Sequence, residues 1–121
     1  MKKEERSYIV FLDDIALSIQ RIREYVAGHS LDSFAADYKT VDAVIRNFEI
    51  IGEAAKRIPD KIKERYPNIP WEEMYRLRNR VSHDYFGIDY EIILDIAVMH
   101  LPINQMEVEE IIRLENSAKT K

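Results

Sequence analysis

The sequence predicts an all-α domain, an antiparallel bundle of four or five helices. Three observations predict it. Apolar residues recur at alternating steps of three and four along most of the chain, the period of an amphipathic helix. No stretch alternates with period two for long enough to make a sheet. Only three glycines occur in 121 residues, so little interrupts the helical pattern. The length suits one domain with a real core, over residues 1–121, with a tail that frays from about residue 115.

The first helix is expected over about residues 5–27. Tyr8, Leu12, Ile15, Ile19, Ile22 and Val26 form a seam of about three heptads on it. Gly28 ends it, and His29 fits a cation at the helix C-terminus better than a ligand. Residues 30–37 read as a short turn or helix across the bundle end, anchored by Phe34. A second long helix opens near Thr40 or Asp42 and runs to about Ile58, with Val41, Ile45, Phe48, Ile51, Ala55 and Ile58 on its seam. Gly52 inside it costs about 1 kcal/mol against alanine, which close packing of another helix would offset. Glu53 is either a plain surface carboxylate or a partner of an arginine on a later helix.

A short helix follows over residues 61–66 and stops at Pro67. Pro70 suits the first turn of the next helix, Glu72 and Glu73 complement its dipole, and Trp71 reads as a packing anchor. After a loop containing Gly87, Asp89 is a plausible N-cap for a helix from Tyr90. Ile92, Ile96, Met99 and Ile103 form one line on it, and Ile93, Ala97 and Leu101 another. His100 lies between them as a surface residue. Pro102 kinks or restarts the helix, which continues from Met106 to Leu114.

Composition bounds the function. The formal charge of −4 argues against a protein that coats nucleic acid nonspecifically, so any phosphate contact must come from a local patch. The absence of cysteine excludes disulfides, thiolate zinc sites and a thiol nucleophile. The first apolar run is broken by Asp13 and Asp14, too short and charged for a signal peptide or membrane span. A cytoplasmic protein is expected, with no membrane association.

One stretch stands out. Residues 71–85 concentrate Arg76, Arg78, Arg80, the single tryptophan and a histidine. At roughly 100° per residue, Met74, Leu77, Val81 and Tyr85 form a core-facing stripe, and Arg78 falls about 20° from Tyr85 at its margin. A guanidinium there is partly desolvated, and an anion or acceptor must meet it. Asn79 and His83 lie four apart, so the amide can orient the imidazole. A lone Arg/His pair is more often ordinary surface, but the position beside the apolar stripe and next to a helix end favours a site.

The string Arg78-Asn-Arg-Val-Ser-His83-Asp-Tyr85 fits an Arg-x4-His-x-Tyr pattern and resembles the HepT-like proteins of the HEPN superfamily. The segment ending Gly52-Glu-Ala-Ala-Lys-Arg57 resembles that family's central helix, Ile69-Pro-Trp71 its lead into the motif, and Tyr85-Phe-Gly-Ile-Asp89 its exit. The resemblance extends from the first helix to about Leu101. Two positions depart from it: Leu94, where an aromatic is expected, and Asn104, where a leucine is expected. Both concern packing of the last helix pair.

The resemblance implies a homodimeric, metal-independent endoribonuclease, the toxin of a type VII-like toxin–antitoxin pair, with no cofactor. Its partner would be a minimal nucleotidyltransferase antitoxin that adds AMP to Tyr85. The residues allow that chemistry. RNA carries its own nucleophile, the 2′-OH, so a proton-transfer group and a charge stabiliser suffice. His83 offers the first and Arg78 the second, while Arg76, Arg80, Asn79 and Glu53 are supporting or RNA-binding candidates. On one continuous helix Arg78 and His83 diverge by about 140° and roughly 7.5 Å of rise. Two motif helices meeting across a two-fold axis would bring both sets into one cleft. The alternative is a non-catalytic helical module that binds a nucleotide or a nucleotidyltransferase. His83 favours the enzyme, and the acidic net charge leans toward the module.

Overall fold

A computed structural model describes residues 3–82 and 89–119, with side chains over residues 8–77 and 89–118. It is an all-α bundle with no strand among the described residues. The helices are α1 (Lys3–Val26), α2 (Leu31–Ala36), α3 (Tyr38–Arg57), α4 (Asp60–Arg65), α5 (Trp71–Ser82), α6 (Tyr90–Asp95) and α7 (Leu101–Lys119), with a π-helical turn at Ile96–His100.

The α1 seam is buried along its whole length, from Tyr8 to Val26. Helix α1 packs between α3 and α7, and α3 packs in turn against α5. Their directions alternate. Arg57, ending α3, lies 5.8 Å from the ring of Phe11 near the start of α1. Arg23 and Gln20 in the second half of α1 bond Gln105 at the start of α7, at 2.8 and 2.7 Å. Because α3 has neighbours on two sides, its buried face is wider than one stripe. Val44 and Asn47 are buried there beside Phe48, Ile51, Gly52 and Ala55, whereas Ile45 is only partly covered.

The turns have local causes. Gly28 takes φ +81°, a left-handed conformation that ends α1 as expected. Ser30 and Ser33 form a reciprocal capping box on α2. The Asp37 carboxylate then accepts from the Thr40 amide at 3.2 Å and its hydroxyl at 2.7 Å. That cap starts α3 at Tyr38, two to four residues before the start read from the apolar pattern. Phe34 is buried, with its ring edge-on to Tyr90 at 6.3 Å.

One expectation for the last helix needs correction. Fraying from Glu115 is not observed, since α7 stays helical to Lys119. Glu115 is only 4% exposed. Its carboxylate accepts from Tyr8 Oη at 2.7 Å, Tyr66 Oη at 2.6 Å and Arg65 at 2.9 Å, joining α7 to α1 and α4. Of the two apolar lines of the last helix, one enters the core. Ile93, Ala97 and Leu101 are buried, while Ile92, Met99 and Ile103 remain exposed. The interruption at Pro102 takes a specific form. Leu101 N–H donates to Ile96 O, five residues back, and the backbone stays helical from Asp95 through Leu101. Proline has no N–H for the α-helical bond to Val98, and the wider turn accommodates that loss.

Candidate functional site

The site candidates gather on α5, and its first half is firmly held. The Pro70 carbonyl accepts the Met74 N–H at 2.9 Å, so Pro70 sits just before the first turn. Trp71 is buried and its Nε1 donates to the Tyr66 carbonyl at 3.0 Å, the anchor role expected of it. Met74 is buried, Leu77 packs against the core, and Lys56 of α3 lies 5.7 Å from the Tyr75 ring centroid. These contacts fix the stretch that precedes the arginines.

Arg76 is mostly exposed, 3.5 Å from Glu72 one turn earlier. A pair so open to solvent is worth about 0–1 kcal/mol, so the guanidinium exchanges partners at little cost. Arg78, Asn79 and Arg80 lie on the helical backbone of α5, with side chains outside the described set. Position 78 comes one turn after buried Met74 along α5. His83, Tyr85 and Gly87 lie outside the described residues.

Glu53 is half-buried on α3 and lines a cavity of about 350 Å³ toward α1, shared with Phe11, Arg46 and Arg57. A pairing of Glu53 with Arg78 or Arg80 lies outside the described side chains. Asp14 also borders that cavity. Burial and the neighbouring Asp14 push the Asp13 carboxyl above its usual range.

A larger cavity, about 460 Å³, opens between α5 and the π turn. Met74, Leu77 and Ile96 give it apolar walls, and Arg76, His100 and Asn104 give it polar ones. Sequence reasoning left His100 as surface and treated Asn104 as a packing position. The available signal was their spacing: Ile96, His100 and Asn104 are separated by steps of four. Asn47 was also missed. It is buried, its Nδ2 donates to the Ala43 carbonyl at 2.8 Å, and its Oδ1 has no partner among the described residues. Among the described residues, no group of His, Asp and Glu is placed to hold a metal ion. No described helix is long and apolar enough to cross a membrane.

A protein-family model described as ribonuclease HepT-like matches residues 15–111, which include α3, α5 and every candidate residue named above. The chain belongs to the HepT-like family of the HEPN superfamily. The match spans most of the length of three relatives. A Methanocaldococcus jannaschii protein named as a candidate RNase is 44% identical over 93% of this chain and 90% of its own. A Thermococcus cleftensis protein named as a candidate ribonuclease HepT is 42% identical over 81% of this chain and 89% of its own. A third, a candidate RNase of Caldanaerobacter subterraneus subsp. tengcongensis, is 33% identical over 87% and 94%. No solved structure matches the chain. HepT-like proteins thus share most of this chain's helical domain, and the arginine-bearing α5 lies inside the matched region.

Proposed function

We propose that this HepT-like protein is a metal-independent endoribonuclease and the toxin of a type VII-like toxin–antitoxin pair. The observation that carries the reading is the family match, which spans the Arg78–His83 motif, and position 78 lies on a helix anchored by Trp71 and Met74. His83 acts as the proton-transfer group. It takes the proton of the 2′-OH as that oxygen attacks the adjacent phosphorus, and the bond to the leaving 5′-oxygen breaks. The 5′-oxygen takes up a proton, leaving a 2′,3′-cyclic phosphate and a 5′-hydroxyl. Arg78 holds the phosphate bidentately and stabilises the charge that builds on its oxygens. Asn79 orients His83, while Arg76 and Arg80 bind neighbouring phosphates and Glu53 braces the arginine helix. Two protomers related by a two-fold axis supply one cleft.

Control comes from a minimal nucleotidyltransferase. The Tyr85 hydroxyl attacks the α-phosphorus of ATP and loses its proton, and AMP is joined to the ring oxygen as pyrophosphate leaves. The added phosphate puts negative charge beside the arginines and repels RNA.

Purified protein should cleave RNA in EDTA and leave 2′,3′-cyclic ends. Arg78→Ala and His83→Ala should each lower the rate at least about 100-fold, the scale for losing an oxyanion or proton-transfer group. Full cleavage by His83→Ala, with helicity intact by circular dichroism, would overturn the assignment. The non-catalytic binding module would then be the better reading.

A further inference from the structure

We infer that the cleft between α5 and the π turn is a nucleobase subsite, which takes one unpaired base of the RNA with its phosphate on Arg76. The inference rests on the ribonuclease reading and adds to it a place where sequence is read. Its volume of about 460 Å³ falls in the usual range for small-ligand sites, roughly 300–1,000 Å³. The lining matches the chemistry of a base. A base has two apolar faces and a polar edge, and here Met74 and Leu77 on α5 oppose Ile96 on the π turn. Asn104 carries both a donor and an acceptor for the base edge, and Glu73 adds an acceptor. His100 is exposed at the same cleft and offers a ring for stacking.

Charge sets the orientation. Glu73 repels a phosphate, so the sugar–phosphate must run on the Arg76 side, and among the described residues Arg76 is held only by an exposed pair with Glu72. From Arg76, α5 leads through Arg80 to Ser82, next to His83 in the chain. The subsite therefore adjoins the arginine row and reads a nucleotide flanking the scissile bond.

The π turn makes the subsite possible. Helix α5 packs on α3, which leaves its other side open toward the last helix. The turn at Ile96–His100 widens the helix opposite that opening, and Ile96, His100 and Asn104 line it in steps of four. A base inside a duplex cannot enter such a cleft without leaving its stack, so the substrate is single-stranded there.

The test uses the full-length protein and RNA 12-mers of adenine, cytosine or uracil. His100→Ala and Asn104→Leu should each raise KM about tenfold on the preferred homopolymer, the scale of losing one base contact, with kcat within about twofold. The preference among the three homopolymers should flatten. Uncleavable 2′-O-methyl 12-mers give a readout independent of catalysis, and their Kd by fluorescence anisotropy should rise by the same factor. Unchanged Kd and unchanged base preference in both variants, with melting temperatures intact, would overturn the subsite. If Arg78→Ala still abolishes cleavage in that case, the ribonuclease reading stands without it. Conversely, full cleavage by Arg78→Ala would sink the ribonuclease reading, while the anisotropy result would still judge the subsite. A dimer that dissociates in sedimentation on His100→Ala or Asn104→Leu would assign the cleft to a protein contact, and that also overturns it.

Discussion

Glu115 shows most directly how one side chain controls the chain's end. Burial alone opposes its ionisation, but hydrogen bonds from Tyr66, Tyr8 and Arg65 outweigh that and hold its carboxyl below the ordinary 4.5. The same contacts act back on the partners. Burial and the bond to Glu115 push the Tyr66 hydroxyl above its usual value. A carboxylate with a depressed folded pKa stabilises fully above its unfolded pKa, and that stabilisation is lost as pH falls through the folded value. Urea titrations of wild type should therefore weaken below about pH 4.5 more steeply than those of Glu115→Gln. Glu115→Ala strands two tyrosine hydroxyls in a covered site and should cost about 2–4 kcal/mol at neutral pH. A loss under 0.5 kcal/mol would show that the cluster is peripheral. Tyr85 is the residue-scale test of control. Tyr85→Phe keeps the ring and removes the acceptor oxygen, so it should fold, retain much of its RNase activity and resist the partner enzyme. Intact mass decides this: AMP-sized additions that persist in Tyr85→Phe after co-expression would mean that another residue is modified.

Among the elements, the π turn is the least expected and the most consequential. Its five-residue bond encloses one residue more than an α-helical bond, so the turn behaves as an insertion that keeps both flanks in register. Deleting Val98, which is exposed, should restore an α-helical turn and leave the melting temperature within about 5 °C. Deleting Glu109 instead rotates everything after it by about 100°, taking Ile111 and Glu115 out of their buried places. That should lower the melting temperature by about 10 °C or more. Equal effects of the two deletions, read by thermal circular dichroism, would show that the turn is not an insertion. The Val98 deletion should also close the cleft beside Arg76, because it removes the widening that brings His100 to it.

For the whole molecule the question is how an acidic chain of net charge −4 grips a polyanion. Only a local patch can serve, and in the proposed reading Arg76, Arg78 and Arg80 of α5 supply it. Salt dependence then counts protomers. For single-stranded RNA, log K against log salt falls by about 0.7 per phosphate neutralised, so three arginines give a slope of about −2 and six about −4. A shared dimer cleft predicts the steeper slope, with sedimentation showing a dimer at micromolar concentration. A monomer with the shallower slope would rule out the shared cleft.

The sequence by itself determined the helices and the core of α1, because a 3.6-residue period is a local property and Tyr8 to Val26 repeat it without a break. It also singled out α5 as the candidate site helix, since an arginine at position 78 beside an apolar stripe conflicts with ordinary burial. The start of α3 was displaced because a carboxylate cap from Asp37 sets it, outside the apolar pattern. Only the tertiary structure decided which of the two apolar lines of the last helix is buried, because both have helical spacing and the choice depends on what lies opposite. The same holds for Glu115. Its buried place is set by Tyr8 and Arg65, 107 and 50 residues away in the chain, and no local pattern carries contacts across such separations.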